Sequence, residues 1–109
     1  MSPARLRPQA ESDLVEHTRY LRASAGDAVA ERFFDGSLDT LALMERMPTA
    51  GSPIVGERCG IPGLRSRGVK GFAMRWYYFV GRDSLDVVRL LADSRELSAL
   101  LSDTGIAGS

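Results

Sequence analysis

Two stretches of helical periodicity stand almost back to back in this chain, and a later stretch alternates with period two. That order limits the fold more than any other feature. From Gln9 to about Ala23, the residues Ala10, Leu14, His17 or Thr18, and Leu21 recur at three- and four-residue spacing, which makes an amphipathic helix. Pro8 ends a short preceding strand, Ala4 to Arg7, and suits a first helical turn. Glu11 and Asp13 near the start, and Arg19 and Arg22 near the end, complement the helix dipole. Gly26 reads as a C-terminal cap and Asp27 as the N-cap of a second helix. That helix runs from about Ala28 to Arg46, with Ala30, Phe33, Phe34, Leu38, Leu41 and Met44 as its apolar face, and Pro48 stops it. So short a break predicts an antiparallel helical hairpin. Gly36 costs about 1 kcal/mol relative to Ala inside a helix; close packing of the two helices is the expected reason.

Residues 48–63 are rich in Gly and Pro and read as one long loop. The period then changes. Leu64 to Arg67 begins a strand, Lys70-Gly71 permits a turn, and Phe72 to Val80 is dense in aromatics. Phe72, Met74, Trp76, Tyr78 and Val80 share one face of that strand; Arg75, Tyr77 and Phe79 share the other. Leu85 to Leu91 is nearly all apolar and reads as a central strand. Asp93 or Ser94 caps a last helix, with Glu96 in capping-box spacing and Leu97, Leu100 and Leu101 as its apolar face. The expectation is a single α+β domain over residues 1–109, ordered over about 4–101, with 102–109 a flexible tail. It has an N-terminal strand, a two-helix hairpin on one face of a three- to four-stranded antiparallel sheet, and a short C-terminal helix. The other sheet face is left to meet solvent or a partner. Arg65, Arg67, Arg75 and Arg89 alternate with apolar residues and are expected to gather in part on that second face.

Charge and composition narrow the chemistry. The chain carries 14 basic and 14 acidic residues, so it lacks the basic excess typical of phosphate binders. Direct sequence-specific nucleic-acid binding is not expected. No apolar run approaches the roughly 18 residues that span a bilayer, and no signal-type segment follows Met1, so a cytoplasmic protein is expected. Cys59 is the only cysteine and His17 the only histidine, which rules out an internal disulfide and a structural zinc site of the usual type. Cys59 reads as a small residue in a Gly-rich loop, and His17 as a packed or surface residue of a helix. There is no Walker loop, no Ser-His-Asp order and no metal-spaced cluster, so neither catalytic residues nor a cofactor are assigned. The aromatic run Trp76-Tyr77-Tyr78-Phe79 is read as sheet packing; stacking on bases is the alternative. Arg65, Arg67, Lys70 and Arg75 form the densest basic cluster, which a solvated strand face and an anion site explain equally well.

Four segments carry a family resemblance. Leu6-Arg7-Pro8-Gln9-Ala10-Glu11-Ser12-Asp13-Leu14 resembles the opening strand and helix start of ParE-family toxins. Met47-Pro48-Thr49-Ala50-Gly51 is similar to their P-x-x-G turn after the hairpin, and Gly63-Leu64-Arg65-Ser66 with Val69-Lys70-Gly71-Phe72 to their middle. The run Leu85 to Leu97 resembles their last strand and ending. The resemblance implies a toxin that acts on DNA gyrase and is held in a hetero-oligomer by a ParD-like antitoxin. Arg65, Arg67, Lys70, Arg75, Arg89 and Arg95 are the candidate antitoxin- or target-binding residues. An amphipathic, acidic antitoxin segment that folds on binding would pair with some of the four strand arginines. Related RelE toxins cut messenger RNA on the ribosome, and an inactive relative working only within the antitoxin complex is a third reading. The chain departs from the ParE pattern at Ala92, where a His commonly follows the last strand. It has no terminal His or Tyr of the RelE-like or YoeB-like kind. Without an acid–base set, a binding inhibitor is expected rather than an enzyme.

Overall fold

The computed structural model describes residues 2–94 and 97–102. The order is β1 (Ala4–Leu6), α1 (Pro8–Ala25), α2 (Asp27–Arg46), a 3-10 turn (Pro48–Ala50), α3 (Ile54–Cys59), β2 (Arg65–Gly68), β3 (Met74–Val80), β4 (Leu85–Ala92) and α4 (Leu97–Ser102). The strands form one sheet in the order β1-β4-β3-β2. The expected antiparallel meander holds for β2, β3 and β4. β1 joins it in parallel, pairing Ala4 with Leu85 and Leu6 with Val87, so the sheet is mixed. A parallel pair needs a long crossover, and the helical hairpin supplies the first part of one.

Gly26 joins the two helices with a φ of 97°, a left-handed value that glycine adopts without a Cβ clash. It ends α1 and also begins α2, so Asp27 is the first helical residue of α2 rather than its cap. The face of α2 turned to the sheet differs from expectation as well. Phe33, Ser37, Thr40 and Met44 are buried, while Phe34 and Leu38 are 39% and 43% exposed. The fully buried Trp76 meets this face, its indole N–H donating to the Ser37 carbonyl at 3.1 Å. A longer side chain at position 37 would displace that ring.

Both sheet faces are covered. Ala10, Leu14, Phe33, Leu41 and Met44 from the hairpin pack on Trp76, Tyr78, Leu85, Val87 and Leu90. On the opposite face Ile61, Leu64, Tyr77, Val88, Leu91 and Leu101 form a second core, with Val55, Cys59, Phe79, Leu97 and Leu100 against it. The expectation that this face meets solvent or a partner is therefore corrected: α3 and α4 close it. α3 also replaces part of the expected 48–63 loop. A register shift lets β4 serve both cores. Tyr77 pairs with Arg89 and Tyr78 with Val87, which leaves Val88 as the extra residue of a bulge. Val87 and Leu90 thereby face the hairpin, while Val88 and Leu91 face α3 and α4. Glu96 of the expected capping box and residues 103–109 of the expected tail lie outside the described residues.

Gly36 is not needed for packing between the helices. A Cβ there would meet Val69 Cγ1 at 3.5 Å, an ordinary contact across to the β2–β3 connection. Gly36→Ala should accordingly raise unfolding stability by about 1 kcal/mol, the helix-interior difference between the two residues. Urea unfolding measures this, and a loss of stability would contradict the packing described here.

Candidate functional site

The basic residues singled out in the sequence fall in four different places. Arg65 and Arg67 on β2 pair with Tyr78 and Trp76 on β3, so they share the sheet face that α2 covers. Arg65 holds the turn after α2: its Nη1 donates to the carbonyls of Thr49 at 3.0 Å and Gly51 at 2.9 Å. Tyr78 holds the same turn, its hydroxyl donating to the Pro48 carbonyl at 2.8 Å. A Cβ on Gly51 would overlap that hydroxyl, which gives the P-x-x-G turn its physical meaning. Burial pushes the Tyr78 hydroxyl up from the usual tyrosine range, against a backbone hydrogen bond at Gly51 and the charges of Arg65 and Arg67. Arg67 is half-buried and makes no hydrogen bond or ion pair to any of the described residues.

Arg75 alternates to the other face, donating through Nε to Ser66 Oγ at 2.9 Å and through Nη2 to the Ser66 carbonyl at 3.3 Å. Arg89 is drawn to α1, where Nε and Nη2 grip the two carboxylate oxygens of Asp13 at 2.7 and 3.0 Å. Arg95 lies outside the described residues. The four strand arginines thus do not gather on the second sheet face. Apolar contacts with α3 and α4 fill that face, and three of the four are anchored to groups of the chain itself.

Asp13 carries a role that its position near the helix start did not reveal. β1 covers β4 only as far as Val87, and beyond it the β4 edge would present bare backbone. Asp13 accepts the Leu90 N–H at 3.0 Å, and His17 Nε2, one turn later on α1, donates to the Leu90 carbonyl at 2.9 Å. Two side chains at i and i+4 therefore close the edge as a paired residue would. The signal present in the sequence is a carboxylate and an imidazole on the apolar stripe of α1. The arrangement also fixes the His17 tautomer with the proton on Nε2.

Tyr77 is the other feature sequence reasoning missed. It is fully buried in the second core, and its hydroxyl finds no hydrogen-bond partner among the described residues. Its pKa is pushed up to about 12, first by burial and then by the negative charge of Asp93.

A groove of about 730 Å³ lies between α2 and the β2–β3 connection. Phe33 and Phe72 meet edge to face with ring centroids 5.2 Å apart, and Gly36 lies beside Val69. The connection therefore crosses near the first half of α2. Lys70 shares the groove rim with Arg32, Asp35 and Asp39, over a floor that includes Gly36, Leu43 and Phe72.

Among the described residues no helix is long and apolar enough to cross a membrane. No curated protein sequence matches the chain. A solved structure described as the chromosomal ParDE TA system from P. aeruginosa shares the fold at a TM-score of 0.73 with 14% identity, over 86% of this chain and 98% of that one. The family model for the ParE toxin of the type II toxin–antitoxin system parDE matches residues 4–97. That match spans the whole of the first core, the second core except Leu101, the P-x-x-G turn and the Asp13–Arg89 pair, and the chain belongs to the ParE toxin family of type II toxin–antitoxin systems.

Proposed function

We propose that this toxin is a cytoplasmic, non-enzymatic inhibitor of DNA gyrase, neutralised in a hetero-oligomer by a ParD-like antitoxin. A protein that only binds can poison an enzyme by preferring one of its states. If it binds the cleaved-DNA state better than the resealed one, it shifts the population toward broken DNA. Full conversion of a one-to-ninety-nine equilibrium needs a preference of about 10⁴-fold, so the contact must be selective rather than merely tight.

The observation that carries the non-enzymatic reading is how the titratable groups of the sheet are used. Cleavage of RNA through its 2′-hydroxyl needs a base, an acid or a charge stabiliser at the phosphate. His17 donates to the Leu90 carbonyl, and Tyr78 donates to the Pro48 carbonyl. Tyr77 is buried with its pKa pushed up to about 12, which keeps it protonated at neutral pH. Arg65, Arg75 and Arg89 hold the turn, β2 and α1. These groups build the fold, which suits a toxin that acts through its surface. The test is gyrase activity set against ribosome-dependent messenger cleavage with the same purified chain. Messenger cuts with normal gyrase activity would overturn the proposal.

A further inference from the structure

The Tyr77 hydroxyl is a donor that packing leaves unused. The ring is fully buried in the second core, and the hydroxyl has no hydrogen-bond partner among the described residues. An unpaired buried O–H is costly, and in folded proteins such a group commonly serves a water, a ligand or a reactive neighbour. Three ionisable side chains lie near enough to act on its charge: Asp93, Arg75 and Cys59. Asp93 is exposed to water, and Arg75 is held by Ser66. Cys59 is the group that shares the core. It is the last residue of α3, half-buried, and packs on the same cluster as Tyr77. Its place is fixed from both sides. Gly56 lets α3 lie against the Leu64 backbone, where a Cβ would come within 2.5 Å of the carbonyl oxygen, and the Ile61 N–H donates to the Gly56 carbonyl at 2.8 Å. A thiol within reach of solvent thus stands at the rim of an apolar core, beside a buried donor with nothing to bind.

We infer that Cys59 is a site of reversible oxidation by hydroperoxides, with Tyr77 as the positioning residue whose hydroxyl holds the resulting sulfenic acid. The Cys59 thiolate attacks one peroxide oxygen. The S–O bond forms as the O–O bond breaks, sulfur gives two electrons to the peroxide, and the proton released by the thiol ends on the leaving oxygen. In the reduced protein the sulfur makes no hydrogen bond to Tyr77. The added oxygen reaches one bond beyond the sulfur and is a better acceptor. Burial keeps Tyr77 in its O–H form well above neutral pH, so the donor is always present. Cys59 is the only cysteine, so no second thiol of the chain can convert the sulfenic acid to a disulfide. Its reduction falls to a small external thiol, through a mixed disulfide and release of water.

Hydrogen peroxide treatment of the purified toxin, followed by dimedone trapping and peptide mass mapping, tests the inference. Cys59 should gain a single oxygen that dimedone captures and added thiol removes. In Tyr77→Phe the sulfenic acid should pass to higher oxidation states about three- to tenfold faster, the effect of losing one hydrogen bond. Melting separates positioning from mere packing. The oxidised parent should melt no lower than the reduced parent. Oxidised Tyr77→Phe should melt below its own reduced form, because the new oxygen lacks a donor in the core. Cys59→Ser treated in the same way supplies the baseline for oxidised methionines. Absence of a dimedone adduct at Cys59 would overturn the inference. So would equal lifetimes and equal melting shifts with and without the Tyr77 hydroxyl, which would leave that hydroxyl to a buried water.

Discussion

Asp13→Ala is expected to destabilise the toxin by about 3–5 kcal/mol, the effect of removing one partner from a buried ion pair. The side chains of Arg89 and Asp13 are only 12% and 8% exposed, so solvent does little to screen the pair. Loss of the carboxylate strands the Arg89 guanidinium and also removes the acceptor for the Leu90 N–H. Both penalties act at once, and domains of this size have only about 5–15 kcal/mol of stability in all. Asp13→Asn should fall between parent and Ala, because an amide oxygen still accepts the Leu90 N–H but carries no charge. The double variant Asp13→Ala with Arg89→Met should recover part of the loss, since the stranded charge is gone. Urea unfolding of these four proteins together with the Arg89→Met single variant measures the coupling. A change below about 1 kcal/mol in Asp13→Ala, the range of exposed pairs, would show that α1 does not close the β4 edge in this way.

Stability should also fall steeply in alkali, and Tyr77 is the main cause. Its folded pKa stands at about 12, above the ordinary tyrosine value of 10.0. The contribution is therefore complete below pH 10. It is lost as pH rises toward 12, because the unfolded chain releases the proton while the folded one retains it. Two pH units correspond to about 3 kcal/mol. Tyr78 is raised too and adds a loss of the same sign. In Tyr77→Phe the alkaline loss should shrink to what Tyr78 and the other groups leave. At neutral pH the variant should equal the parent or exceed it by about 1 kcal/mol, since a buried hydroxyl without a partner has been removed. Thermal unfolding followed from pH 8 to pH 12 decides this. Parallel curves for parent and variant would mean that the Tyr77 hydroxyl is not held in the second core as described.

The contrast between these sites shows what a single sequence exposes. The helical hairpin and the two faces of β3 follow from periodicity; the aromatic alternation puts Trp76 and Tyr78 on one face, and the structure shows that the hairpin covers it. Families of local signals agreed there. α3 was hidden because six residues between Pro53 and Gly60 are too few to form a stable helix alone; packing of Val55 and Cys59 on the second core holds it. That helix, together with α4, also closes the second sheet face, so what hides α3 in the sequence hides the closure of that face as well. The parallel pairing of β1 rests on contacts some eighty residues apart and has no local signature. The arginines were legible as candidates, but alternation alone does not say which have internal partners. Arg65 and Arg75 find theirs in backbone and serine oxygens, which leave no trace in charge patterning. The groove depends on α2 and the β2–β3 connection meeting, so it becomes visible only in three dimensions.

The mode of action proposed for this ParE-family toxin is binding to gyrase. Its most direct measurement incubates the purified toxin with DNA gyrase, supercoiled plasmid and ATP, then traps cleaved DNA with detergent and protease. The expected result is toxin-dependent linear plasmid and reduced supercoiling, both abolished by the antitoxin, with messenger RNA on translating ribosomes left intact. Unaffected gyrase together with toxin-dependent cuts in ribosome-bound messenger would contradict it.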